Sequence, residues 1–511
     1  MNIKPSPAFM AAPLALAALV SLSGCGGGGG SAAPGTAAAP VTAPVTAPVG
    51  TAPDTRADMI KLAASCQRPR SGSSAAGVRF TDRQGTLSDE LKWVRSFVDE
   101  TYLWYKEVPN VGPTGYSNPV DYFDVLKTQA YTASGRPKDQ FHFTYATDAW
   151  EAMSQSGVEL GYGAGWSSTE EGVLPRVWRV TMVEPNSPAG AAGLRRGDTV
   201  VSVDGVSISD TSSAGIDTLN AGLLPARAGV SHRFVLSRPG QTLNVTMTAQ
   251  NVSIAPVQNT QVLVTETGKI GYLAFNDHNA VAESQLIGAI RSFKEVKVDD
   301  VVLDMRYNGG GYLDIASELA YMIAGPGPTT GKVFERLLFN DKTAAETPLG
   351  FHAAAVGFPS PLPTAAGTAL PYLGLKRVTV LTSPDTCSAS ESVINSLRGV
   401  DVEVNVIGGA TCGKPYGFTP ADNCGTTYFA IQFQGVNAKG FGDYADGFQP
   451  TCRASDDLSR GLGDTGESML SAALQYRDKG VCPVVASSLA AGKSTPLRAV
   501  RPQAKAIAIL R

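Results

Sequence analysis

The stretch 378–414 reads VTVLTSPDTCSASESVINSLRGVDVEVNVIGGATCGK. Two apolar runs in it, 378–381 and 402–407, have the length and valine content of buried strands. Between them, Ser388-Ala389-Ser390-Glu391 has the form of a capping box, with serine at the N-cap and glutamate three residues on. It opens a helix over about 389–397. Strand, helix and strand in succession form the unit of a sheet covered by helices. The same stretch puts a serine at the first strand-to-helix turn. It puts Lys414 26 positions later, behind a glycine-rich turn that follows the second strand.

That pairing is chemical as well as structural. A serine hydroxyl is a weak nucleophile until a base takes its proton, and a buried neutral lysine can be that base. Alone, Ser388 reads as a helix cap and Lys414 as a solvated surface charge. Together they read as nucleophile and base. A helix N-terminus beside the serine offers backbone N–H groups to an oxyanion, and Ala389 supplies one of them. A second donor comes from the turn 304–311, Asp-Met-Arg-Tyr-Asn-Gly-Gly-Gly, where Gly309 and Gly310 let backbone approach a ligand. This turn lacks the Gly-Lys-Ser/Thr ending of a phosphate loop.

Working outward, the β-α alternation extends over 268–410. Residues 270–275 and 301–304 read as strands. Ala282, Leu286, Ala289, Ile290 and Phe293 mark one helix, and Ile315, Leu319, Met322 and Ile323 another, ending at Gly325. Upstream, 187–198 (SPAGAAGLRRGD) and 200–205 (VVSVDG) resemble a PDZ domain of the bacterial protease type. By that resemblance Gly161-Tyr162-Gly163 is its carboxylate-binding loop, with a peptide adding a strand beside it. Further upstream, Ser88 is placed to cap a helix carrying Leu91, Val94, Val98 and Tyr102 at helical spacing. Residues 121–150 read as helix and loop. From about 483 the periodicity is weak and the chain reads as a tail.

The Ser-Ala-Ser-Glu segment, the Gly-Lys segment, the Arg-Tyr-Asn-Gly-Gly-Gly turn and the upstream PDZ-like segment, in this order, resemble the C-terminal processing (tail-specific) peptidases over roughly 88–475. The resemblance implies that Ser388 is the nucleophile and Lys414 the base. It implies a serine endopeptidase that recognises C-terminal segments of proteins or peptides and needs no cofactor. Ser388 is preferred to Ser390 because the family's nucleophile stands three positions before the glutamate. The chain departs from the family in two places. Phe418 stands where many members carry a glutamine that orients the base, and Cys387 replaces a small residue before the serine. Phe418 keeps open an alternative, a catalytically weak or inactive peptide-binding scaffold on the same fold.

The expected fold class is a multidomain α+β protein: an N-terminal helical region, a β-rich PDZ domain, and an α/β peptidase core of βαβ repeats. The expected segments are a signal peptide at 1–25, a flexible Gly/Ala/Pro/Thr linker at 26–65, helical domain at 66–155, PDZ at 156–254, peptidase at 255–482 and tail at 483–511.

The start of the chain reads as an export signal. Lys4 precedes an apolar stretch over about 9–22, which ends in Leu22-Ser23-Gly24-Cys25. This resembles a lipobox and implies lipidation of Cys25 and a membrane anchor. The expected location is the cell envelope, facing the periplasm, with Gly26 resembling outer-membrane sorting. An oxidising compartment suits disulfides among the other six cysteines. Cys387–Cys412 is expected if Ser388 and Lys414 touch, and Cys424–Cys452 as a local staple. A net charge of −3 gives no electrostatic case for nucleic acid. The histidines, at 142, 232, 278 and 352, and the absence of any CxxC pair argue against zinc.

Overall fold

The computed structural model describes residues 55–74, 77–169, 173–483, 497–500 and 508–509. The export-signal reading, Cys25 included, lies outside the described residues.

At the centre is a six-stranded sheet. Its strands lie side by side in chain order: β1 (Val257–Thr265), β2 (Gly268–Phe275), β3 (Asp300–Asp304), β4 (Arg377–Thr382), β5 (Glu403–Gly408) and β6 (Cys452–Arg453). The β1–β2 pair is antiparallel and the rest are parallel. Helices α1 (Ala282–Val296), α2 (Leu313–Ala324) and α3 (Ala389–Gly399) fall in the connections between parallel strands. Right-handed crossovers that always step the same way put every helix on the same face. One core accordingly joins Leu286, Ile290 and Phe293 of α1, Leu319 and Ile323 of α2, and Val393 and Leu397 of α3 to Val301, Leu303, Val378, Val380, Val404 and Val406. The opposite face carries Ile270, Tyr272, Val302, Leu381 and Ile407, covered by α4 (Ser468–Lys479) through Met469 and Leu470. Strands buried on both faces explain why they read as unbroken apolar runs. Gly271 is needed where α1 meets the sheet, since a Cβ there would lie 2.7 Å from the Phe293 ring.

Arg306 ties β3 to α4. Its fully buried guanidinium donates to both carboxylate oxygens of Asp304 (2.9 and 2.8 Å), to both of Glu467 (2.8 and 3.0 Å) and to Asp456 (2.6 Å). Glu467 in turn caps α4 through the N–H of Leu470.

The PDZ domain is a sheet of strands Gln241–Thr248, Ser231–Arg238, Thr199–Val203, Trp178–Val183 and Ala164–Thr169, in that lateral order. Ser187 caps the short helix Pro188–Ala191, and Asp198 of the Gly-Asp turn pairs with Arg238 at 2.7 Å. The N-terminal region packs Trp93, Phe97 and Tyr102 against Tyr416 and Tyr428 of the core domain. Its strand Phe143–Ala146 completes a three-stranded sheet with Thr426–Phe429 and Ala421–Asn423. The fold class is therefore the expected one, α+β and multidomain.

Several local readings need correction. The first long helix runs Leu87–Thr101, and its cap is Thr86, not Ser88: Thr86 and Asp89 make the reciprocal capping bonds. A helix, Thr55–Leu62, begins inside the stretch read as linker. Within the stretch read as tail, Leu497–Val500 and Ala508–Ile509 are strands. Cys424 bonds to Cys66, and Cys452 to Cys482, so the expected Cys424–Cys452 staple is not formed. The first of these links stitches the N-terminal segment to the core across 358 residues. Among the described residues, no helix is long and apolar enough to cross a membrane.

Candidate active site

Ligands of open α/β sheets gather beyond the carboxyl ends of the strands. Three adjacent strands, β3, β4 and β5, deliver the candidate residues there. The turn after β3 carries Gly309 and Gly310, the loop after β4 carries Ser388, and the loop after β5 carries Lys414.

The loops are bonded to one another. Thr386 donates its hydroxyl to Met305 O (2.9 Å), Cys387 N–H donates to Asn308 O (3.0 Å), and Ser390 donates its hydroxyl to the same carbonyl (3.2 Å). Cys412 N–H donates to Thr386 O (3.0 Å), and the Cys387–Cys412 disulfide expected from the sequence is formed beside that bond.

Ser388 itself sits at φ 60°, ψ −118°. A non-glycine residue in such a region stores on the order of 1–3 kcal/mol of strain. It persists because the surroundings over-determine it. The side chain is fully buried and its Oγ makes no hydrogen bond among the described residues. At the start of the helix, Glu391 Oε2 accepts from Ser388 N–H at 2.9 Å. Ala389 opens α3 immediately behind it.

Glu391 does more than cap. Its fully buried carboxylate also accepts from the N–H of Lys414 (2.8 Å), the N–H of Gly413 (2.9 Å) and the hydroxyl of Thr411 (2.5 Å). Burial pushes its pKa up, and these donors pull the other way by favouring the ionised form. One side chain thus fixes the backbone of both Ser388 and Lys414.

Lys414 is buried, which lowers its pKa to about 7 against the opposing pull of Asp139 and Glu391. Its Nζ lies 4.2 Å from the centroid of the Phe418 ring and 4.8 Å from that of Phe141. Phe418 therefore faces the lysine head group through a ring face that attracts the charged form. Phe418 is held by edge contacts to Phe143 and Phe429. Asp139 is buried and accepts from the hydroxyl of Tyr102 at 2.6 Å. Asp139 and Phe141 were not visible in the sequence, because they lie in an aperiodic loop of another domain.

In the glycine turn, Gly310 N–H donates to Asn308 Oδ1 (2.9 Å), and Asn308 Nδ2 donates to Phe275 O (2.9 Å). His278, buried and held neutral, stands 3.0 Å from the same Oδ1. Gly311, at φ 142°, lies where a Cβ would be 2.6 Å from His278 O.

Gly161, Tyr162 and Gly163 lie beside the PDZ sheet and outside this cluster. Gly161 ends the strand Val158–Gly161, which pairs with Gln250–Ser253, and Tyr162 and Gly163 link it to Ala164–Thr169 of the PDZ sheet. Gly163 has φ 72°, and a Cβ there would meet Ser187 at 2.3 Å. The Tyr162 ring is buried in the PDZ core and its hydroxyl donates to Gly222 O. The PDZ domain does touch the frame of the site: Arg196 donates to the Tyr307 hydroxyl at 2.6 Å and pairs with Asp456.

Residues 269–434 match peptidase family S41, 89–145 the peptidase S41 N-terminal domain, and 179–215 a PDZ domain. The chain is 26% identical over 291 residues to a carboxyl-terminal-processing protease of Picosynechococcus sp., covering 54% of this chain and 66% of that protein. It is 25% identical over 263 residues to a protein of the same name from Synechocystis sp., covering 49% and 58%. It thus spans less than two thirds of the length of these relatives. Among solved structures it is similar to a Bacteroides fragilis NCTC 9343 chain classed with the S41 proteases, with a TM-score of 0.58 and 25% identity, covering 76% of this chain and 97% of that one.

The depressed lysine pKa has a consequence for stability. Between about pH 7 and 10.5 the unfolded chain holds a proton on Lys414 that the folded chain has released. The penalty is full below pH 7 and disappears as pH rises toward the ordinary lysine value. Lys414→Met should therefore raise the melting temperature most at pH 6–7 and progressively less toward pH 10. Thermal melts of both proteins across this range check it; a pH-independent difference would contradict it.

Proposed function

We propose that this chain, a member of peptidase family S41 with a PDZ domain, is a serine endopeptidase that works through a Ser388–Lys414 dyad. The observation that carries the reading is the joint tether: Glu391 holds the backbone of a strained, buried serine and of a buried lysine whose pKa is lowered to about 7. In this reading Ser388 Oγ gives its proton to Lys414 Nζ and attacks the scissile carbonyl. The N–H of Ala389 receives the oxyanion, with Gly309 as second donor. Gly309 is preferred because the N–H of Gly310 is engaged by Asn308. Lys414 then protonates the leaving amine, and water releases the acyl-enzyme. Phe418 and Phe141 take the place of an orienting amide by stabilising the ammonium that forms.

The PDZ domain, in the same reading, binds extended C-terminal segments of proteins or peptides along Ala164–Thr169, beside Gly161-Tyr162-Gly163. The protein is exported and held by lipid on Cys25 at the periplasmic side of the outer membrane. The Leu22-Ser23-Gly24-Cys25 sequence and three disulfides support this placement.

Cleavage of an unfolded protein by wild type, Ser388→Ala and Lys414→Ala, read by mass spectrometry, tests the dyad. Both variants should lose at least ~1,000-fold in kcat/KM. Equal cleavage by all three would place the chemistry elsewhere, and no cleavage by any would favour a binding scaffold. Growth with labelled palmitate should label the wild type and not Cys25→Ser; equal labelling would remove Cys25 as the anchor.

A further inference from the structure

Two strands from the stretch after residue 483 lie where a substrate peptide would lie. Leu497–Val500 pairs antiparallel with the PDZ edge strand, Leu497 opposite Thr169 and Val500 opposite Trp166. In that register the chain runs toward Gly161-Tyr162-Gly163, the direction of a peptide ligand approaching the proposed carboxylate loop. Val500 packs against the PDZ core, and Ala499 N–H donates to Asp385 Oδ2 at 2.9 Å, in the loop that carries Ser388. The second strand, Ala508–Ile509, runs parallel to Gly311–Tyr312, directly after the Gly309-Gly310 turn. It also lies against Tyr416–Gly417, directly after Lys414-Pro415. Backbone of this chain therefore lies between the segments that directly follow the Gly309-Gly310 turn and Lys414-Pro415. From residue 500 to residue 508 an extended chain reaches roughly 26–29 Å, so one segment can serve both places.

We propose that these strands are an internal peptide ligand, which occupies the PDZ edge and the cleft beside Ser388 and excludes other peptides until it is displaced. The cleft half of this proposal rests on the peptidase reading above; the PDZ half does not. The chemistry is strand addition: an open sheet edge presents N–H and C=O groups that any extended backbone can satisfy, and an apolar pocket selects the side chain. A tethered strand has an effective concentration near millimolar, so it competes strongly with a free peptide of the same affinity. The class of external ligand follows. It is an extended segment with an apolar residue at the place of Val500, entering antiparallel to Ala164–Thr169.

The test uses the full chain carrying Ser388→Ala, so that nothing is cut, and a fluorescein-labelled peptide of residues 495–502, TPLRAVRP. Fluorescence polarisation compares this protein with one that also carries Ala499→Pro and Val500→Asp. The displaced-strand protein should bind the peptide at least about ten-fold more tightly. Affinities within about two-fold, or no binding by the displaced protein, would overturn the proposal. A second measurement avoids the strand variants. In Ser388→Ala, added peptide should speed amide hydrogen exchange in 497–500 and leave 164–169 protected; unchanged exchange in 497–500 at a saturating peptide concentration would also overturn it. With Ser388 intact, the same strand substitutions should raise the cleavage rate. If cleavage is absent in every protein while the binding difference stands, the peptidase reading fails and the internal ligand survives.

Discussion

The proposed site depends on a single buried carboxylate. Glu391 is far from water and accepts four hydrogen bonds, from the amides of Ser388, Gly413 and Lys414 and from the hydroxyl of Thr411. Removing one donor from such a buried set leaves a desolvated oxygen under-satisfied, which costs about 1–3 kcal/mol. The tether therefore has little slack. It joins the loops of two neighbouring parallel strands, and the Cys387–Cys412 bond joins the same two loops covalently. The unfavourable backbone of Ser388 is held in place by these constraints, which are local to the site and independent of substrate.

Around Lys414 two effects oppose each other. Burial favours the neutral amine, which can accept a proton. Asp139, Glu391 and the ring faces of Phe141 and Phe418 favour the ammonium, which can return one. A group that must do both in one cycle works best when the two forms are close in energy near working pH. The N-terminal region takes part in that balance. It supplies Asp139 and Phe141, and its Arg136 donates to the carbonyl of Cys412 at 2.9 Å. It is therefore one wall of the site as well as a support for the core.

The sequence disclosed the parts whose pattern is local. β2 to β5 are buried on both faces, so each appears as an apolar run, and the helices between them show helical spacing. Ser388, Ala389 and Lys414 were legible because a strand-to-helix turn and a glycine turn mark them. Asp139 and Phe141 were not, since no periodicity distinguishes a loop residue that acts on another domain. The cysteine pairing failed for a related reason. Nearness in sequence favoured Cys424–Cys452, yet packing of Trp93 and Phe97 on Tyr428 brings the segment around Cys66 back to Cys424. Leu497–Val500 was missed because an added edge strand is held mainly by its backbone, which leaves little pattern in the side chains. Ser88 and Thr86 both precede the same apolar face, so sequence pattern alone does not separate them as caps.

In the proposed mechanism Ser388 is activated by a lysine that is neutral near pH 7. The most direct measurement is the rate at which a fluorophosphonate labels the protein across pH 5–9, with the modified residue located by mass spectrometry. Ser388 should be the residue modified, at a rate that rises through an apparent pKa of about 7, and labelling should be lost in Lys414→Met. Labelling of a different serine, or a rate at Ser388 that is flat with pH and indifferent to Lys414, would contradict it.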